Sequence, residues 1–241
     1  MSSTAAIQVQ GLVKRYGTKT AVDGIDLTVE SGEIFALLGP NGAGKTTTVE
    51  ILEGYRTATA GQVKVLGFDP ATKGSAGQKW RNQIGIVLQS TSDAADLSVF
   101  ETISHYANYY EKARDVDQVI DEVGMQEIIN AKARELSGGQ RQAIAIARAT
   151  AFNSKLVIMD EPTAALGVKE TAKVEELIKR MKTQGLAILL ISHNFDQVLR
   201  LADHIWVMRQ GSVMSGMRAK DTNGDHLVSL ITGAVTGGKS Q

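Results

Sequence analysis

The residues that gather the most chemistry in the least space are Gly39-Pro40-Asn41-Gly42-Ala43-Gly44-Lys45-Thr46-Thr47, between the apolar run Ile34-Phe35-Ala36-Leu37-Leu38 and a stretch of helical character from Thr46 to Glu53. Glycines let a backbone curl around an anion with its N–H groups turned inward, and the positive end of the following helix faces the same point. Lys45 then reaches the outer phosphates and the Thr46 hydroxyl suits Mg²⁺. With glycine at about 7% of average composition, a chance match to this spacing in such a chain is on the order of one in a hundred. A ligand-free glycine turn is the competing explanation, and the flanking strand and helix weigh against it. The loop predicts a nucleoside triphosphate and leaves open what is done to it.

Other candidate groups sit at the ends of apolar runs. Lys155-Leu156-Val157-Ile158-Met159 predicts a buried strand that delivers Asp160 and Glu161, and Pro162 bars a regular continuation. Adjacent carboxylates there call for a cation: Asp160 suits Mg²⁺ beyond its direct ligands, and Glu161, turned the other way, suits orienting or deprotonating a water. Leu136-Ser137-Gly138-Gly139-Gln140 opens an Ala/Ile-rich helix running to about Phe152. Ser137 suits the cap and two glycines allow close approach, so this is a second anion site or a plain helix start. Gln89 follows the apolar run 84–88, where a glutamine reaches a metal or an attacking water, or is an ordinary loop residue. His193 follows the run 186–191 and either touches a γ-phosphate or is a packed or surface histidine. Tyr16 suits stacking on a base and equally suits a surface position.

The elements that must position these groups are legible in outline. Ile7 to Val13 and Ile25 to Glu30 alternate as strands, with turns expected at Asp23-Gly24 and Ser31-Gly32. The segment from Gly61 to Gly67 reads as another short strand. From Ser90 to Ala133 the pattern becomes helical, over Val99 to Tyr110 and Val116 to Val123, and predicts a smaller lobe. Tyr106, Tyr109 and Tyr110 share a helical face near Val99 and Ile103, which reads as lobe packing or as a docking surface. A helix carrying Val174, Leu177, Ile178 and Met181, a hairpin around Gln210-Gly211 and a helix near His226 to Ile231 complete the chain, with a disordered tail expected over 236–241.

Bulk properties set limits. Lys plus Arg equals Asp plus Glu at 26 each, so there is no global basic field to attract nucleic acid. No cysteine is present, which removes disulfides and thiolate metal sites, and the four histidines are scattered. No run approaches the roughly 18 apolar residues of a membrane-spanning helix, and the first residues lack a signal-peptide pattern. A soluble, cytoplasmic protein is expected, with any membrane spanning done by another chain.

With these motifs in this order, the chain resembles the ATP-binding cassette of ABC transporters over nearly its full length. The resemblance implies an α/β fold: a P-loop NTPase (RecA-like) core with an antiparallel β subdomain, over about 5–89 and 153–235, and an inserted α-helical subdomain over about 90–152. It makes Tyr16 the adenine-stacking aromatic, Gly39 to Thr47 the Walker A loop, Gln89 the Q-loop glutamine and Ser137, Gly138, Gly139 and Gln140 part of the signature. Asp160 becomes the Walker B aspartate, Glu161 the catalytic glutamate and His193 the switch histidine. ATP and Mg²⁺ are the implied cofactors, the metal held through Thr46, Gln89 and Asp160. A second cassette, paired head to tail so that each signature meets the other's ATP, and separate transmembrane permease subunits are the implied partners, with the chain peripheral on the inner face of the cell membrane.

Ala164-Ala165-Leu166-Gly167 lacks the aspartate of the usual Ser-Ala-Leu-Asp, which bears on communication between the two sites. The segments 50–56, 65–70 and 84–89 resemble ABC-2 type drug and antibiotic exporters, whereas 137–149, 161–170 and 191–196 resemble monosaccharide importers. A recombinant joined between about Tyr110 and Arg134 is therefore expected, beside a divergent member of one subfamily. The other functional alternatives are a soluble non-transport ABC ATPase, a nucleotide-switched binding module, and a cassette that binds ATP without coupling to transport.

Overall fold

The computed structural model describes residues 5–88, 96–109, 113–151 and 153–234. In chain order the strands and helices are β1 (Ala5–Tyr16), β2 (Lys19–Glu30), β3 (Ile34–Leu38), α1 (Lys45–Leu52), β4 (Ala60–Val65), α2 (Gly74–Arg81) and β5 (Ile84–Val87). There follow α3 (Val99–Ala107), α4 (Val116–Glu122), α5 (Gly138–Thr150), β6 (Leu156–Asp160) and α6 (Val168–Thr183). The last are β7 (Ala187–Ile191), α7 (Phe195–Leu201), β8 (His204–Arg209), β9 (Ser212–Arg218) and α8 (Gly224–Thr232). They form two compact units, one from the chain up to Arg81 together with the chain from Ala187, the other from Asn82 to Leu186.

In the first unit β3 and β7 are apolar and buried at every position, the signature of parallel strands covered on both faces. They pair in parallel, β8 pairs in parallel on the other side of β3, and β9 closes that edge antiparallel to β8. The same unit holds an antiparallel sheet in the order β2, β1, β4.

The expected turn at Asp23-Gly24 is instead inside β2. Gly24 and Gly11 take left-handed φ values of +64° and +57°, and the pairing shifts register between Val9 and Leu12. Glycine absorbs such bulges at little steric cost, so the ladder bends and continues for 12 residues on each strand. The hairpin turns at Gly17-Thr18, where Tyr16 pairs with Lys19.

The second unit pairs β5 with β6 in parallel and packs four helices around their own apolar cluster. Val99, Ile103, Val119, Ile120, Ile144 and Ala147 are its buried centre, with Tyr106 and Leu177 partly buried against it. Of the expected tyrosine face, Tyr106 packs inward with the Arg148 guanidinium 3.7 Å from its ring, whereas Tyr109 is 64% exposed. Tyr110 lies outside the described residues. Helix α3 starts on a reciprocal cap: Glu101 N–H donates to Ser98 Oγ at 3.1 Å, and Ser98 N–H donates to Glu101 Oε2 at 2.8 Å. At Gly85 in β5, an added Cβ would stand 2.2 Å from the Ala149 carbonyl oxygen, so the strand and the end of α5 approach backbone to backbone.

Candidate functional site

The phosphate loop runs from the end of β3 to the first turn of α1. A Cβ at Gly39 would lie 2.2 Å from the Met208 carbonyl oxygen, and one at Gly44 would lie 2.6 Å from that of Ala21. Gly39, Gly42 and Gly44 all have positive φ, so backbone wraps the loop where side chains would fill it. Gly44 caps α1 with no side-chain hydrogen bond, which leaves the N–H groups of the first turn directed at the loop. Lys45 Nζ donates to the carbonyls of Gly39 at 2.5 Å and Pro40 at 3.0 Å, which holds its ammonium over the cradle. Thr46 is exposed, while Thr48 is buried and donates to the Gly44 carbonyl at 3.0 Å. The uncapped first turn of α1, the glycines and the tethered Lys45 ammonium together suit a triphosphate.

The loop is braced by a clasp that spacing in the sequence does not announce. Gln210 and Gly211 both have positive φ and form the tight turn between β8 and β9. Gly211 N–H donates to the Ala43 carbonyl at 2.9 Å, and Asp23 N–H donates to the Gly211 carbonyl at 2.8 Å. The phosphate loop, the β8–β9 turn and β2 thus share one chain of hydrogen bonds.

His193 reaches the same edge through register. Leu37 of β3 pairs with Ile191 of β7, so Gly39 and His193 leave neighbouring strands at the same level, and neighbouring strands run about 4.8 Å apart. His193 is exposed, behind a turn in which Asn194 N–H donates to Ser192 Oγ at 3.1 Å. Tyr16 ends β1 with its ring 40% exposed, Lys14 Nζ 5.1 Å and Arg56 Cζ 5.5 Å from its centroid. Arg56 is ion-paired with Glu50, which, ahead of Tyr16, raises its pKa above the usual guanidinium value. An exposed aromatic face bordered by cations suits a base next to phosphates.

In the second unit β6 delivers Asp160 and Glu161 as expected. Glu161 has φ +50°, an uncommon value for a non-glycine residue, and buried Pro162 follows it. The strand thus ends in a bend at Glu161, directly after Asp160. Gln89 lies outside the described residues. Among the described residues no three His, Asp or Glu side chains gather as a metal cage. The Thr46 hydroxyl in the first unit and the Asp160 carboxylate in the second are each an oxygen donor of the type Mg²⁺ accepts.

The signature segment is a helix N-terminus built for approach. Ser137 caps α5, with Gln140 N–H donating to Ser137 Oγ at 3.2 Å and Ser137 N–H to Gln140 Oε1 at 2.8 Å. Leu136 is buried, and its carbonyl accepts from Arg141 at 2.5 Å. Glu170, which sequence reasoning missed, lies across Gly139: a Cβ there would be 2.8 Å from Glu170 Cβ. The signal was present in the three-residue spacing from Gly167 to Glu170, that of a helix start whose N-cap has no side chain of its own.

Comparison with known proteins now decides the family: the one described as "ABC transporter" matches residues 22–164. The chain belongs to that family. It is 37% identical to the fructose import ATP-binding protein FrcA of Rhizobium meliloti, over 97% of this chain and 96% of that protein. It is 33% identical to the xylose/arabinose import ATP-binding protein XylG of Sulfolobus acidocaldarius, over 96% and 95%. A solved dimeric structure of a bacterial ABC transporter cassette superposes with a TM-score of 0.77 at 25% identity, covering 88% of this chain and 98% of that one. The ABC cassette is thus an ATP-binding, ATP-hydrolysing protein with the expected mixed α/β fold, and cassettes of this family pair with one another and serve transporter subunits. No helix among the described residues is long and apolar enough to cross a membrane.

Proposed function

We propose that this chain hydrolyses ATP for a sugar importer, working as a head-to-tail pair on separate permease subunits at the inner face of the cell membrane. The observation that carries this reading is the fructose relative, whose 37% identity extends over nearly all of both chains. That alignment spans the segment 110–134, so a junction of two parent subfamilies draws no support from it; the exporter-like segments fit divergence within one lineage. A nucleic-acid partner has no basic field to hold it. The inserted helices over about 90–152 are the proposed permease-facing lobe.

The roles follow residue by residue. Tyr16 stacks the base, and Gly39, Pro40, Asn41, Gly42, Ala43, Gly44, Lys45, Thr46 and Thr47 cradle the phosphates, Lys45 carrying positive charge to the outer ones. Thr46, Asp160 and Gln89 would hold Mg²⁺, which would supply positive charge to offset that of the phosphates. Glu161 takes a proton from the attacking water, and His193 donates a hydrogen bond to the γ-phosphate. Ser137, Gly138, Gly139 and Gln140 receive the γ-phosphate of the partner's nucleotide at the α5 N-terminus. Hydrolysis removes the group that bridges the pair, and the pair opens.

The test is ATP turnover against protein concentration for the wild type and Glu161→Gln, with sizing of both in ATP and Mg²⁺. Turnover should rise more than linearly, and Glu161→Gln should lose on the order of 10²–10⁴ in rate, the usual range for a general base, while trapping an ATP-bound dimer. Strictly linear turnover with no trapped dimer overturns the paired mechanism. Co-purification with a ribosome or nucleic acid instead of permease subunits would favour the non-transport reading.

A further inference from the structure

In the first unit four cations converge on one cavity of about 490 Å³: Lys14 from β1, Arg56 from the loop after α1, Lys73 from the loop before α2, and Arg81 from the end of α2. No Asp or Glu is among the described residues that line it. Glu50 pairs with Arg56, whereas Lys14, Lys73 and Arg81 have no carboxylate partner among the described residues. Like charges gathered in this way repel, a cost that an anion would remove. Two of the four are held in place by the fold. Lys14 Nζ donates to the Thr57 carbonyl at 2.8 Å. The Arg81 guanidinium lies 5.3 Å from the ring of fully buried Trp80, and its Nη2 donates to the Thr72 carbonyl at 3.4 Å. Gly77, inside α2, makes the room: a Cβ there would stand 2.2 Å from that carbonyl oxygen and 2.9 and 3.0 Å from the guanidinium nitrogens. A glycine inside a helix weakens it, and this one keeps the guanidinium seated.

We propose that this cavity binds a phosphate monoester, at a site separate from the phosphate loop, none of whose residues 39–47 lines it. Charge selects the ligand. Three cations without a carboxylate partner exceed what a single carboxylate would neutralise, and they come closer to matching a phosphate monoester, which carries nearly two negative charges at neutral pH. Geometry agrees with charge. The planar guanidinium of Arg81 offers parallel N–H donors to phosphate oxygens, and the Lys14 and Lys73 ammoniums act as point charges on the others. The volume is that of a small-molecule site. Tyr55, which also lines the cavity and is 85% exposed, leaves an aromatic side chain for the uncharged part of the ester. A soluble phosphate ester and the headgroup of phosphatidic acid present the same dianion, so the two sources share this chemistry and differ in what carries it.

The experiment titrates inorganic phosphate into the full chain by calorimetry at constant ionic strength, and in a second arm sediments the protein with phosphatidylcholine vesicles made with and without phosphatidic acid. Lys73→Gln and Arg81→Gln are compared with the wild type, and Lys45→Ala removes the contribution of the phosphate loop. Unfolding midpoints are measured alongside; Lys73 is exposed, so Lys73→Gln serves even if Arg81→Gln fails to fold. Saturable phosphate binding that survives Lys45→Ala and weakens about tenfold in Lys73→Gln, the scale of one charge-assisted hydrogen bond, is the expected result and assigns a soluble ester. Capture by phosphatidic acid vesicles alone, lost in the same variant, places the dianion on a lipid and supports the site equally. No binding in either arm, binding indifferent to Lys73→Gln and to folded Arg81→Gln, or binding that Lys45→Ala alone abolishes overturns the proposal.

Discussion

Gly39 shows how narrow the tolerance of the phosphate loop is. Its φ of +150° and the 2.2 Å between a would-be Cβ and the Met208 carbonyl oxygen leave a methyl group nowhere to go without moving backbone. Gly39→Ala should cost about 1–3 kcal/mol in backbone strain alone and weaken ATP binding at least tenfold, read by calorimetry and by denaturant unfolding. Gly224→Ala, where nothing stands within 4 Å of the added Cβ and φ is not positive, should leave ATP binding unchanged. At this scale the sequence was most informative: a glycine, a lysine and a threonine at fixed spacing name the anion they serve. Glu161 was legible as a carboxylate at a strand end but not in its left-handed backbone, because a residue type carries no φ angle. Glu170 escaped because its partners, Ser137 and Gly139, are some 30 residues away and meet it only in the fold.

Among the elements, α3 depends on its first turn. Glu101 is held below the usual carboxylate range first by the Ser98 backbone N–H and then by the Ser98 hydroxyl. A depressed carboxyl stabilises the fold at pH above its unfolded value, and that contribution is lost as pH falls through its folded value. Ser98→Ala should cost about 1 kcal/mol at pH 7, about 2–4 °C in Tm for a chain of this size. Its deficit should shrink as pH falls through the lowered folded value of Glu101, below which the carboxyl is neutral in the wild type as well. A deficit equal at pH 7 and pH 3 would mean that the cap owes nothing to the charge. Strands were legible by their apolar runs, and β3, β6 and β7 fall within a residue of expectation. The ribbon of β1 and β2 was not, because Gly11 and Gly24 signal a turn and a bulge equally well, and only the partner strand decides between them. Helix α2 carried too few apolar residues to be seen, being anchored by Trp80 alone among its large side chains, and α7, at 7 residues, was too short to show a period.

For the whole molecule, the order of motifs was more telling than any one of them, and the family match confirms the class of protein that order implied. The chemistry is divided between the two units: the phosphate loop and His193 in one, Asp160, Glu161 and the signature in the other. What no linear reading supplied was the wiring around Gly211, since Asp23, Ala43 and Gly211 come from three distant stretches of chain. That wiring makes two backbone amides into a built-in gauge of the loop. An amide exchanges its hydrogen with solvent only when its bond opens, and the Gly211 and Asp23 amides can open only when the loop or β2 loosens. Both should exchange at least tenfold more slowly in deuterated water once ATP seats the loop, whereas the Asp203 amide, bonded to the Ile34 carbonyl at the opposite end of β3, should keep its rate. Nucleotide arrival would then be read as a change of tempo at a turn some 170 residues downstream of the phosphates.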